Sequence, residues 1–95
     1  MFNNPRFITT GIHHRVDPLL QFFIWRCIDD LEEPQDYLQV FTISAKDGYV
    51  KLVHTQENPT YSQEYLVKTD APVFVGKIYV IDDGDHSTML LAEEY

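Results

Sequence analysis

The C-terminal segment VIDDGDHSTMLLAEEY, residues 80–95, holds the side chains of this chain that are best suited to chemistry. Asp82, Asp83, Asp85 and His86 surround one glycine, and apolar residues lie on both sides. Carboxylate oxygens are the ligands that Ca²⁺ and Mg²⁺ prefer, and two carboxyl groups with separated pKa values can act as acid and base. The cluster therefore predicts a metal site or an acid–base site, or else only the polar turn of a β-hairpin.

The spacing within this cluster favours the turn. Calcium takes about six to eight oxygen ligands, and Zn²⁺ needs cysteine or further histidine, which one short turn does not supply. If Asp83 and Gly84 are the central residues, Asp82 and Asp85 face each other, and like charges directly opposite are destabilising. A longer loop that runs from Asp82 to His86 would remove this repulsion. A protonated His86, a nearby lysine or a cation would offset it.

The charge balance excludes several partners. The chain has 95 residues, with 7 Lys and Arg against 15 Asp and Glu, and a formal net charge of −8. Nucleic acids and anionic membrane surfaces attract basic patches, and the basic residues here are scattered, so we expect neither partner. Cys27 is the lone cysteine, which excludes an internal disulfide. Without a signal peptide or a spanning apolar segment, the cytoplasm is the expected compartment.

The hydrophobic pattern predicts one α+β domain over residues 1–95. We expect a mainly antiparallel sheet of about five to six strands with one amphipathic helix on one face, in the order β-α-β-β-β-β-β. Asp17 and Pro18 suit the N-cap and the first position of a helix that runs to about Glu33. Asp-Gly at 47–48 predicts a tight hairpin. Strands are predicted at Arg6–Ile12, 37–45, 49–56, 63–69, 73–81 and 87–94, with a break at 70–72. The strand order is left open.

The predicted helix carries more apolar bulk than one face needs. Its sheet-facing stripe comprises Leu20, Ile24, Cys27 and Leu31, widened by Phe23 and Ile28. Phe22 and Trp25 project about 200° and 140° away from Leu20. Either the N-terminal segment or a loop covers these two aromatic side chains, or they anchor a protein–protein contact, which includes a homodimer.

Acidic residues crowd the C-terminal end of the predicted helix, namely Asp29, Asp30, Glu32, Glu33 and Asp36. The helix dipole is negative there, so each acid in the last turn costs about 0.3–1 kcal/mol. The cluster is either a solvated acidic face or a docking patch for a basic partner, because acidic charge steers such encounters. Phe22, Trp25, Asp29 and Glu33 share one side of the helix and form the predicted binding surface.

Three smaller signals concern histidine and cysteine. His13-His14-Arg15 is predicted to be a solvated loop between strand and helix. His54 alternates in register with Val50 and Leu52, so we expect it on the inner face of the sheet. Cys27 on the apolar stripe is expected to behave as a small buried hydrophobe.

The chain resembles a known family in four segments, namely RFITTGI, LQFFIWRCIDDL, DYLQVF and, above all, VIDDGDHSTMLLAEEY. The family is the domain of unknown function 960 family, which consists of small proteins from Gram-positive bacteria. The resemblance covers nearly the whole chain. It implies a bacterial cytoplasmic protein of one small domain, and it implies no activity, cofactor or catalytic residue.

Together these observations predict a non-enzymatic protein-interaction module. We expect a protein partner or a second copy of the chain at the helix aromatics and acids, and no cofactor. A second hypothesis is a metal-dependent or acid–base enzyme that uses Asp82, Asp83, Asp85 and His86, which a deep pocket around them would favour. A third is an acidic mimic of nucleic acid, which carboxylates at phosphate-like spacing would favour. An exposed apolar patch on the helix would favour the interaction module.

Overall fold

Six strands form one sheet in the computed structural model, which describes residues 1–69 and 72–95. The strands are β1 (Arg6–Ile8), β2 (Leu38–Lys46), β3 (Tyr49–Gln56), β4 (Tyr61–Lys68), β5 (Gly76–Asp82) and β6 (Ser87–Leu91). Their spatial order is β1-β6-β5-β2-β3-β4, and every neighbouring pair is antiparallel except β1 and β6. Two helices, α1 (Thr10–Arg15) and α2 (Pro18–Asp30), follow β1, and a 3-10 helix (Ala92–Glu94) follows β6. The predicted α+β class with a mainly antiparallel sheet is confirmed.

Helix α2 begins where its sequence predicts and ends earlier. The Asp17 carboxylate accepts two N–H groups of the first turn, at 2.7 and 3.3 Å, and Pro18 occupies the first turn. The predicted end at Glu33 is wrong, since the helix stops at Asp30 and Leu31 adopts an extended conformation. Leu31 is buried, so the chain leaves the helix by turning this side chain into the protein.

The core lies between α2 and one face of the sheet. It comprises Phe2, Ile12, Val16, Ile24, Cys27, Ile28, Phe41, Ile43, Val50, Leu52, Ile78, Val80, Met89 and Leu91. Buried residues alternate along β2 and β3, as expected for strands with one covered face. Cys27 and His54 are both buried, as predicted. Burial raises the pKa of the Cys27 thiol, which keeps it protonated.

The predicted strand Arg6–Ile12 is wrong beyond Ile8. The following residues form α1, and His13-His14-Arg15 lies in its last turn and not in a loop. Thr9 caps α1 by accepting an N–H from its first turn at 3.3 Å. The carboxylate of Glu94 accepts the Thr9 hydroxyl at 2.7 Å and another N–H of that turn at 3.2 Å. Hydrogen bonds from Glu94, at the far end of the chain, thus stabilise a helix where the local sequence prefers a strand.

The other strand predictions are correct in number and differ at their ends. The strand at 49–56 is confirmed, and that at 37–45 is shifted by one residue. Strand β4 begins earlier than the predicted 63–69, and β5 begins later than the predicted 73–81. The segment predicted at 87–94 turns into a 3-10 helix after Leu91. The predicted break at 70–72 lies largely outside the described residues.

Candidate functional site

The Asp82–His86 cluster forms the tip of the β5–β6 hairpin. The Asp83 N–H donates to the carbonyl of His86 at 3.0 Å, so Gly84 and Asp85 are the central residues of the turn. The turn is therefore centred one residue later than the Asp83-Gly84 arrangement that the sequence analysis considered. Gly84 has φ +101°, a conformation that glycine adopts without strain. The Asp83 carboxylate lies 3.1 Å from Nε2 of His86, and this pair closes the turn. The repulsion considered between Asp82 and Asp85 therefore does not arise.

Asp82 fastens the N-terminal segment to the sheet. Its carboxylate accepts the N–H of Phe2 at 2.6 Å, the amide of Asn4 at 3.0 Å and the N–H of Gly84 at 2.8 Å. Partial burial alone would raise the pKa of Asp82, but these hydrogen bonds and the N-terminal ammonium outweigh burial and hold it below its ordinary value. Because Phe2 is 2% exposed in the core, Asp82 positions a buried side chain.

The described residues give no geometric support for a metal or acid–base site at the hairpin cluster. Residues 1–69 and 72–95 contain no group of three or more His, Cys, Asp or Glu side chains arranged to hold a metal ion. A cavity of about 410 Å³ lies beside Asp82, but its other described walls are Met1–Asn4 and Gly84, so it lacks a second acid. Asp83 is engaged within the turn and Asp85 is exposed. The geometry favours the hairpin turn that the sequence offered as the alternative.

Three of the four predicted binding residues contact the N-terminal segment. The guanidinium of Arg6 lies over the indole ring of Trp25, 4.8 Å from its centroid, and also forms an ion pair with Asp29. Trp25 is half-buried and packs against the core. The carboxylate of Glu33 lies 3.6 Å from the N-terminal ammonium of Met1. For Trp25, coverage by the N-terminal segment is therefore the alternative that the structure shows.

Two further acids at this end of α2, Asp30 and Asp36, are also engaged within the chain. Asp30 pairs with Arg26 at 3.4 Å, one turn earlier on the helix. The Asp36 carboxylate accepts the N–H of Asn58 at 3.1 Å and that of Leu38 at 3.5 Å. Of the five acids, Asp29, Asp30, Glu33 and Asp36 thus have partners within the chain, which does not favour the nucleic-acid mimic.

Phe22 is the predicted binding residue whose side chain remains exposed to solvent. Its side chain is 69% exposed, and Leu19, one turn earlier on the same side of α2, is 81% exposed. Leu19 lies at the rim of a cleft of about 270 Å³ between α2 and the sheet. The apolar part of its lining comprises Leu19, Leu20, Phe23, Val50, Leu52, Val67 and Val73. Sequence reasoning missed this cleft because its walls come from three separate segments.

The cleft opens towards β4, which forms one edge of the sheet. In the part of the chain that the structure describes, no strand pairs with the outer side of β4. Leu66 is 64% exposed and Val67 is 49% exposed on this strand. An uncovered edge presents backbone N–H and C=O groups to any extended chain that reaches it. We define the docking surface as this edge with Leu19, Phe22, Val67 and Val73 on the helix side of the sheet and Leu66 on the opposite face.

His54 belongs to a buried polar chain and not to this surface. Its Nε2 lies 2.6 Å from the side-chain oxygen of Gln39, whose amide donates to Gln56 at 2.7 Å. Its ring stacks on Phe41 at 4.3 Å between centroids. Burial lowers the pKa of His54 to about 4, so the imidazole is neutral at pH 7. The position on the inner face of the sheet was predicted correctly.

The fold and the docking surface define a small two-layer α+β domain with one open sheet edge. A family model described as a Staphylococcal protein of unknown function (DUF960) matches residues 5–94, and the chain belongs to this family. The predicted resemblance is thus confirmed.

A solved structure shares the fold of this chain. The crystal structure of the protein of unknown function from Enterococcus faecalis matches with a TM-score of 0.85 and 24% identity, over 98% of this chain and 92% of that chain. At this identity the likeness concerns the fold alone. A search of curated proteins finds no match to the chain. None of the helices in residues 1–69 and 72–95 combines the length and apolar character that crossing a membrane requires.

Proposed function

We propose that this protein is a non-enzymatic interaction module whose docking surface holds an extended segment of a protein partner. One observation carries the proposal. Leu19, at the rim of an apolar cleft that leads to the unpaired edge strand β4, and Phe22, one turn further along α2, are both largely exposed.

Apolar burial supplies the affinity in this proposal. Removing a leucine or phenylalanine side chain from water contributes about 1.5–3 kcal/mol. Single exposed apolar residues are ordinary, but contiguous apolar surface beside a cleft is typical of interaction sites. Leu19 and Phe22 are adjacent on the helix, and Val67 faces the same cleft from the sheet.

The edge strand determines the shape of the occupant. An extended segment that adds to β4 gains main-chain hydrogen bonds, while alternate side chains enter the cleft and provide specificity. Glu64 lies on the face of β4 opposite the cleft, since its cross-strand partner Val53 lies outside the core, and Lys68 borders the cleft at the end of the strand. The occupant we propose therefore alternates apolar and polar residues and carries charges opposite to those of Glu64 and Lys68.

This proposal keeps only one of the four residues in the binding surface predicted from the sequence. Phe22 remains a contact residue, while Trp25, Asp29 and Glu33 serve to hold the N-terminal segment. We place the protein in the cytoplasm, as the sequence suggested. A single, buried and protonated thiol at Cys27 supports that compartment, because no disulfide within the chain is available to stabilise it elsewhere.

A selection of random peptides on the purified protein tests the proposal. We expect the enriched peptides to alternate apolar and polar residues, and to bind at least about tenfold more weakly to Leu19→Ser/Phe22→Ser, which corresponds to about 1.4 kcal/mol. Tyr37→Ser is the matched control, because Tyr37 is 52% exposed but does not line the cleft. Its affinity should equal that of the wild type. A selection without binders, or equal affinity for the double variant, contradicts the proposal.

A further inference from the structure

We propose that the segment held at β4 is the β4 strand of a second copy, paired antiparallel about a two-fold axis at Leu66. This inference rests on the proposed function and names its partner. It is carried by the direction of the backbone groups along β4 and by the side chains that one particular register brings together.

The backbone direction along β4 is fixed by one hydrogen bond. The Thr69 N–H donates to the carbonyl of Gly48 at 2.9 Å, so residue 69 turns its backbone groups towards the β2–β3 hairpin. Because N–H and C=O directions alternate along a strand, the even-numbered residues turn theirs to the open edge. These outward residues are Ser62, Glu64, Leu66 and Lys68.

Side-chain pairing selects one register. In a continuous sheet that keeps both helices on the same side, outward residues of the two copies oppose each other. With Leu66 on the axis, Leu66 faces its counterpart and Glu64 faces Lys68 in both directions. Centring on Glu64 would oppose two glutamates, and centring on Tyr65 would set Glu64 against Leu66. Opposite charges directly across a strand pair stabilise it, and like charges in the same position destabilise it.

The same register hides the exposed apolar side chains of the strand. Leu66, 64% exposed, meets its counterpart on the outer face. On the inner face Tyr65 opposes Val67 of the other copy, which brings apolar surface to the cleft beneath Leu19. Strand β1, at the other edge of the described sheet, covers only Arg6–Ile8 and offers a shorter template.

The local charge permits this contact although each copy carries a net charge of −8. Lys68 lies at this edge, while two of the acids at the end of α2, Asp29 and Asp30, are paired with Arg6 and Arg26. Glu64 lies 3.5 Å from Lys51 in an exposed ion pair, which leaves its carboxylate accessible to a second lysine. At physiological salt, charges farther apart than about 8 Å are largely screened.

The area buried between the two copies is small, so we expect the dimer to be weak. A stable interface buries about 1,600 Å² in total, and pairing along one strand with a few flanking side chains offers less. We therefore expect a dimer with a dissociation constant in the range of about ten to a few hundred micromolar, monomeric at low concentration.

Sedimentation equilibrium on exchanged charge variants tests the inference. The wild type should approach twice the monomer mass of 11.1 kDa as its concentration rises. Glu64→Lys alone and Lys68→Glu alone each oppose like charges, so each should dimerise at least about tenfold more weakly. An equimolar mixture of the two variants restores both charge pairs and should dimerise like the wild type. Lys51→Met removes the internal pair of Glu64 and should leave dimerisation unchanged.

Two results would overturn the inference. One is a wild type that stays at monomer mass at millimolar concentration. The other is a dimer that both single variants form as well as the wild type does, which would place the contact elsewhere. Restored dimerisation of the double variant Glu64→Lys/Lys68→Glu supports the register independently of the mixture. Peptide binding by a monomeric wild type would leave the proposed function standing and reject only the second copy as partner.

Discussion

Arg6 lies over the indole of Trp25, 4.8 Å from the ring centroid, and its guanidinium is also bonded to Asp29. One cation thus serves two purposes at the end of α2. It shields an aromatic side chain that projects from the helix, and it compensates an acid at the negative end of the helix dipole. The charge of Asp29, unfavourable at this end of the helix, is therefore matched by a cation from outside the helix.

Replacement of Arg6 by methionine tests this arrangement. We expect Arg6→Met to lower the free energy of unfolding by about 1 kcal/mol, through loss of a cation–π contact and an ion pair, and to shift the Trp25 fluorescence to longer wavelength. Urea unfolding and the emission spectrum measure the two effects. Arg26→Met is the control, because the exposed Arg26–Asp30 pair contributes little. Equal effects of the two variants would contradict the arrangement.

The hairpin acids should differ sharply in their effect on stability. Asp82→Asn weakens hydrogen bonds to the Phe2 N–H and the Asn4 amide, and we expect it to cost about 2 kcal/mol, because such bonds gain strength from the carboxylate charge. Asp85→Asn at the exposed tip should change stability by less than about 0.5 kcal/mol. Thermal unfolding of both variants checks this. A similar cost for both, or a melting temperature that rises with Mg²⁺ or Ca²⁺ only when Asp85 is present, would revive the metal site.

Acid should destabilise the protein through His54. The folded-state pKa of His54 is about 4, below its ordinary value of 6.5. Between these two pH values the unfolded chain therefore binds a proton at His54 that the folded protein does not bind. The contribution of His54 to the free energy of unfolding is about 3 kcal/mol. It is fully present above pH 6.5 and is lost as the pH falls to about 4. Asp82, whose pKa is lowered from 3.8, loses its contribution only below that value.

Urea unfolding between pH 7 and pH 4 measures how steeply the free energy of unfolding changes with pH, which is the effect that His54 contributes. His54→Leu should be less stable at pH 7, because it leaves Gln39 without its partner, but its stability should depend less on pH in this window. An imidazole resonance assigned to His54 that titrates near pH 6.5 in the folded protein would contradict the assignment.

The sequence predicted those features whose causes are local. Asp17 followed by Pro18 marked the start of α2, because a cap and its helix are adjacent in the chain. The hairpin at Asp47-Gly48 was equally predictable, since both residues adopt positive φ, +54° and +80°, as a tight turn of this kind requires.

Long-range contacts set the limits of that prediction. Asp82 read as a possible ligand because its true donor, the Phe2 N–H, lies at the other end of the chain. Trp25 read as exposed because the helix pattern does not reveal where Arg6 will lie. The cleft could not be foreseen, because it depends on the order of the strands, which places Val67 and Val73 beside α2.

The alternation of backbone direction along β4 also gives the most direct test of the docking surface, which is amide hydrogen exchange resolved by NMR. In dilute wild-type protein the outward N–H groups of Glu64, Leu66 and Lys68 should exchange fast, while those of Tyr65 and Val67, which face β3, should be protected. With a selected peptide, or at high protein concentration, the outward amides should slow at least about tenfold while the inward amides change little. Outward amides that exchange at the same rate under all three conditions would contradict the account.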